Sequence, residues 1–233
     1  MTFSLPSAAA TAALALVFGF GGAAIWSWSG MADRETREYL LSNPEILPEM
    51  AEELQKREAQ KRLTGIGSEV TTAFPGAVLG NPDGKTILVE FTDYGCTYCR
   101  QSVAEVEAMV AADPQLQVVI RELPIFEGSD VSARMALAAA KQGKFARFHT
   151  AMFAAGSTSP EAVNAVAQQV GLDMKAAQEF AQSREAEFEL MKNHSFAQQL
   201  GIQGTPSWVA GGQIIYGAVG QDKLSAALSR QDK

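Results

Sequence analysis

"ILVEFTDYGCTYCR", residues 87–100, joins an apolar run to a Cys-x-x-Cys pair, and the fold turns on how that junction is built. Ile87, Leu88, Val89 and Phe91 form a near-continuous apolar stretch, the pattern of a strand buried on both faces. From Cys96 to about Ala112 the spacing becomes helical, with Val103, Val106 and Val110 on one side and Asp113-Pro114 as the stop. Cys96 therefore falls where a central strand ends and a helix begins, with Cys99 one turn further on. A thiol there faces unpaired backbone N–H groups and the positive end of the helix dipole, which stabilise its thiolate. Cys96 can then attack a disulfide. Cys99 is near enough to close a ring with it or to resolve a mixed disulfide.

The rest of the composition narrows the chemistry. These are the only two cysteines in 233 residues, too few for a disulfide scaffold and unnecessary at a length that buries its own core. A net charge of −7 and the lack of a basic stripe exclude a nucleic-acid partner. His149, in "FARFHTAMFAA", and His194 lie far in sequence from the cysteines and show no zinc-site spacing with them. They read as ordinary helix residues. No metal site or cofactor is called for, although a Cys pair can capture Cu(I) through its soft thiolates.

Outward from the junction the chain reads as α/β. "AVLG" and "KTILVEFTD" give two strands around the turn Asn81 to Gly84, and "LQVVIRELPI" a third. An insertion of about four helices is expected over residues 128–200, punctuated by Gly143, Gly156-Ser157, Ser159-Pro160 and Gly171. "TPSWVAGGQIIYGAV" predicts a hairpin turned at Gly211-Gly212, and "QDKLSAALSRQ" a closing helix.

Two segments precede this domain. Residues 1–30 contain "AAATAALALVFGFGGAAIW", uncharged and close to the roughly 20 residues that span a bilayer. They read either as a cleaved secretory signal or as an uncleaved membrane anchor with Trp26 and Trp28 at the interface. Residues 31–67 are densely charged, and Ile46, Leu47, Met50 and Leu54 fall at helical spacing. Asn43-Pro44 reads as the cap and first turn of a helix, and "TGIGSE" at 64–69 as a linker. The narrow apolar stripe within 33–63 serves as a self-association seam, a docking helix or a solvated spacer. The main domain is then expected over 68–233.

"VEFTDYGCTYCR", the strand–CxxC–helix placement, the helical insertion and "GIQGTPSWVAGG" together resemble the thioredoxin superfamily, in its branch of DsbA-like exported thiol:disulfide oxidoreductases. The resemblance covers roughly residues 70–230. It implies a thioredoxin-like central sheet with a helical insertion, preceded here by a helical extension. It implies that Pro206 is cis and lies against the CxxC, with substrate contacts from Thr205, Pro206, Thr97 and Tyr98. Glu90 matches an acidic position beneath the family's active site, where it accepts a proton from the buried second cysteine. The alternative for Glu90 is an exposed edge position bonded to Lys85 or water. Asp93 and Tyr94 match a Phe-x-Asp-Tyr stretch and read as structural, Asp93 capping the turn before the helix.

The Thr97-Tyr98 dipeptide departs from the Pro-His of the strongly oxidising members, which implies a milder oxidant. Protein substrates with thiols or disulfides, a membrane redox partner that reoxidises or reduces the chain, and a periplasmic location follow from the same resemblance. The ScsC-type members carry helical extensions that join protomers and favour isomerisation, so a homo-oligomer through residues 33–63 is expected. The competing function class is a membrane-tethered redox or copper-handling binding protein using the same Cys pair.

Overall fold

The computed structural model describes residues 14–22 and 31–229. In chain order the elements are α1 (14–22), α2 (Met31–Ser42), α3 (Ile46–Thr71), β1 (Val78–Gly80), β2 (Thr86–Thr92), α4 (Thr97–Ala112), β3 (Leu116–Glu122), α5 (Ser129–Lys141), α6 (Phe145–Ala155), α7 (Pro160–Gln169), α8 (Met174–Ala181), α9 (Arg184–Leu200), β4 (Ser207–Ala210), β5 (Gln213–Tyr216) and α10 (Gln221–Leu228). They divide into two compact units, one ending at Gln55 and one running from Lys56.

In the second unit the five strands lie in the order β1-β3-β2-β4-β5. β2 is central because its alternate residues serve two cores at once. Leu88 belongs to the cluster shared with α4, α5 and α6, whereas Val89 and Phe91 belong to the cluster under α3 and α9. β2 and β3 run parallel, with Glu90 opposite Ile120, while β4 pairs antiparallel to β2, with Trp208 opposite Glu90. The turn expected at Asn81 to Gly84 forms between β1 and β2, closed by the Gly84 N–H on the Asn81 carbonyl at 3.0 Å, but the two strands do not pair with each other: β1 pairs antiparallel to β3, on the far side of it from β2. The β4–β5 hairpin forms as expected, with φ of +54° at Gly211 and +71° at Gly212. Glycine tolerates that pair of left-handed conformations at little cost.

The insertion holds five helices, α5 to α9, where about four were expected. Short helices need capping, and Ser159, Asp173 and Ser183 each accept the N–H three residues on to start α7, α8 and α9. α5 packs on five buried alanines, Ala133, Ala136, Ala138, Ala139 and Ala140, whose small side chains let neighbouring helices approach closely.

The segment expected to be a linker is helical. α3 runs through residues 64–69, and within the second unit its Leu63, Ile66 and Val70 pack against Phe196, Leu200 and Ile202. Its last turn is gripped by Arg121 of β3, which is fully buried. The guanidinium donates to the carbonyls of Glu69 (2.7 Å) and Val70 (3.0 Å), to Glu189 (3.0 Å) and to Asn193 (3.1 Å). Tertiary packing overrides the flexibility that Gly65 and Gly67 suggest.

In the first unit α2 and α3 are separated at Asn43–Glu45, and Asn43 ends the first helix where it was expected to start the second. Its side-chain amide and its backbone N–H both donate to the Tyr39 carbonyl, at 2.7 and 3.0 Å. The expected signal or anchor at 1–30 lies outside the described residues apart from 14–22. No helix among the described residues is long and apolar enough to cross a membrane.

Candidate active site

The strand-to-helix turn is built by Asp93. Its carboxylate accepts the Gly95 N–H (2.7 Å), those of Ile125 (2.6 Å) and Phe126 (3.0 Å), and the Ser129 hydroxyl (2.8 Å). One buried side chain thus caps the turn, as expected, and also clamps the loop that follows β3. The clamp delivers Cys96 to the N-cap of α4, where its sulfur accepts the Cys99 N–H at 3.4 Å. The Cys96 thiol also donates to the Thr205 carbonyl at 3.1 Å. The Thr205–Pro206 peptide bond is cis. Residues 109 positions apart in sequence are thereby brought into contact.

Both cysteines are free thiols, and both are buried in this state, Cys96 at 2% and Cys99 at 0% exposure. Exposure therefore separates them little, and their surroundings separate them more. Burial, reinforced by the neighbouring Glu90 carboxylate, pushes the Cys99 thiol well up, while the nearby Thr205 and Thr92 hydroxyls and the Asp93 backbone oppose the rise. Cys96 has instead a backbone N–H aimed at its sulfur, and it is followed in the chain by Thr97 and Tyr98. Both of those side chains are exposed. An open groove of about 530 Å³ runs beside Thr205, Pro206 and Tyr216.

Glu90 is buried at 3% exposure in the middle of the sheet, so the edge-position alternative does not hold. Burial pushes its carboxyl up to about 8, with Thr92 opposing. A carboxyl with that proton affinity, close to a buried thiol, can exchange a proton with it near neutral pH.

Behind the turn lies a polar cluster that no local sequence pattern marks. The Tyr94 hydroxyl, buried, donates to Glu122 Oε1 at 3.0 Å and lies 3.1 Å from His149 Nδ1. His149 is no ordinary helix residue: α6 carries it into an aromatic nest with Phe145 and Phe153, 5.5 and 5.0 Å between ring centroids. Burial pushes its pKa down to about 3 and the Glu122 carboxyl up. The signal available was a histidine inside an aromatic-rich helix and a glutamate ending an apolar strand. His194 is exposed on α9.

A dithiol at the head of the helix leaving a central strand, faced by a cis-proline loop, is the architecture of thioredoxin-fold thiol–disulfide oxidoreductases. The match to the DSBA-like thioredoxin domain over residues 87–229 makes the chain a member of that family. Residues 35–61 match a second family, the copper resistance protein ScsC N-terminal domain. A thioredoxin-like oxidoreductase from Silicibacter pomeroyi is 42% identical, with a TM-score of 0.64, covering 66% of this chain and 91% of that one. Proteus mirabilis ScsC in a transitional conformation is 26% identical, with a TM-score of 0.66, covering 88% of this chain and 97% of that one. Among curated proteins, Na(+)/H(+) antiporter NhaA 1 of Salinispora arenicola is 26% identical over 156 residues. That alignment takes in 65% of this chain, which spans about a quarter (24%) of the antiporter's length.

Proposed function

We propose that the chain is an exported thiol:disulfide oxidoreductase that forms, reduces or isomerises disulfides in protein substrates. The observation that carries this reading is the Cys96 sulfur, which meets the Cys99 N–H on one side and the Thr205 carbonyl on the other. A substrate segment lies along Thr205-Pro206, with Thr97 and Tyr98 beside it. The Cys96 thiolate attacks one sulfur of the substrate disulfide, forming a mixed disulfide and releasing the other sulfur as a thiolate. Cys99 gives its proton to Glu90 and attacks Cys96, closing the Cys96–Cys99 bond and expelling the second substrate sulfur. Run in reverse, the oxidised pair introduces a disulfide. Insulin reduction driven by dithiothreitol tests the reading. The chain accelerates it and Cys96→Ala abolishes the acceleration; full activity in that variant overturns the proposal.

Thr97-Tyr98 places no histidine between the cysteines, which supports a mild redox poise suited to isomerisation over pure oxidation. Leu47, Met50 and Leu54 of α3 are exposed, which supports pairing of extensions from several chains and a homo-oligomer through residues 33–63. Export by an N-terminal signal or anchor to the periplasm, and a membrane partner that resets the dithiol, complete the proposal. A second reading, copper handling through the same thiols, draws on the extension's match to a domain named for copper resistance. Tight Cu(I) binding together with no insulin reduction would favour it.

A further inference from the structure

Among the described residues three buried side-chain oxygens have no hydrogen-bond partner: Thr92 Oγ1, Thr205 Oγ1 and Glu122 Oε2. The two threonines border Cys99. Thr92 is the more telling, because it is wholly buried in a central strand, where valine would have the same shape without the idle hydroxyl. A polar group left unsatisfied in one state of a site points to a partner in another.

Strand geometry says what the partner is. Side chains two apart on β2 share a face, so Thr92 stands beside Glu90 and looks, as Leu88 does, toward the core that contains Cys99. Its hydroxyl favours the charged form of both neighbours, the Glu90 carboxylate and the Cys99 thiolate. A hydroxyl can accept a proton on one side while donating its own on the other. A valine could do neither.

We infer that Thr92 is the relay that carries the proton between the Cys99 sulfur and the Glu90 carboxylate while Cys99 resolves the mixed disulfide. The inference rests on the roles proposed above for Cys99 and Glu90. In the step, the Cys99 S–H proton passes to Thr92 Oγ1 as the Thr92 hydroxyl proton passes to Glu90. The sulfur keeps the bonding pair and attacks Cys96, the Cys96–Cys99 bond forms, and the bond from Cys96 to substrate breaks with its electron pair on the substrate thiolate. Glu90 in turn lines a cavity of about 230 Å³ between α4 and α6. The wall of that cavity includes the exposed, hydrogen-bonded pair Thr150 and Glu107, so the proton can leave without crossing the substrate groove.

The test uses the full-length reduced chain and dithionitrobenzoate, whose thionitrobenzoate product is followed by stopped-flow absorbance. The first release reports Cys96 attack, and the second reports resolution by Cys99. Thr92→Val leaves the first phase unchanged, slows the second by about tenfold or more, and removes that phase's rise with pH, as loss of a proton-transfer group does. Thr92→Ser restores both rate and pH profile. A Thr92→Val second phase equal to wild type overturns the relay. A slowing that serine does not rescue also overturns it, since packing then explains the loss. If the valine variant fails to fold, Thr92→Ala removes the same hydroxyl without added volume and carries the same expectations. Glu90→Gln separates the layers. A slowed second phase there beside a normal one in Thr92→Val sinks the relay alone, whereas normal phases in both variants sink the Glu90 role as well.

Discussion

Glu90 makes the reduced protein sensitive to pH in a direction that can be worked out. Its carboxyl lies at about 8 in the folded state against 4.5 in the unfolded chain, so the native protein holds a proton that the unfolded chain releases. Stability therefore falls as pH rises from about 4.5 to about 8, by on the order of 5 kcal/mol, each tenfold change in proton affinity being about 1.4 kcal/mol. Urea unfolding of the reduced protein at pH 5 and pH 9 reads this loss together with that of Glu122, whose carboxyl burial also pushes up, and Glu90→Gln diminishes it; an undiminished loss in the variant would contradict the assignment. His149 acts with the opposite sign. Its folded pKa of about 3 lies below the 6.5 of the unfolded chain, so its contribution is present above 6.5 and is lost as pH falls toward 3. His149→Gln, which can still bond to Tyr94, is expected to shift the acid unfolding midpoint to lower pH. Circular dichroism during acid titration checks it. At this scale the Cys pair and Glu90 were legible because their meaning is local: a helix start and a carboxylate inside an apolar strand. His149 was not, because its partner Tyr94 lies 55 residues away and no local spacing announces the contact.

Elements were legible where the pattern had a single reading. β2, α4 and the Gly211-Gly212 hairpin needed nothing beyond periodicity and turn chemistry. α3 failed at 64–69 because two glycines within six residues outweigh, in the sequence, a stripe of Leu63, Ile66 and Val70 whose partners on α9 lie some 130 positions further along. The helix follows the packing, so the glycines are a residual weakness in it. No atom lies within 4 Å of a Cβ built at Gly65 or Gly67. Gly65→Ala and Gly67→Ala are each expected to stabilise the protein by about 0.5–1 kcal/mol. A linker would gain nothing or lose flexibility it needs, and urea midpoints decide between the two. Arg121 is the reverse case, since its removal leaves the α3 carbonyls unpaired and the buried Glu189 with Lys192 as its one remaining cation among the described residues. Arg121→Met should cost about 3–5 kcal/mol, with part of that recovered in the double variant with Glu189→Leu.

The whole molecule joins a thioredoxin-fold oxidoreductase domain to a helical extension with its own family likeness. The exposed Leu47, Met50 and Leu54 make the proposed assembly testable in the full chain. Replacing all three with lysine should lower the mass found by light scattering and weaken refolding of scrambled ribonuclease, while insulin reduction persists. Equal masses for the variant and the parent would leave the extension a spacer. The central claim is narrower than assembly or export: Cys96 attacks and Cys99 resolves. Mixing each single-alanine variant with a disulfide-bearing peptide and weighing the products by mass spectrometry tests it most directly. Cys99→Ala is expected to accumulate a peptide adduct on Cys96 and Cys96→Ala to accumulate none. An adduct forming on Cys99 at a comparable rate, or none on Cys96, would contradict it.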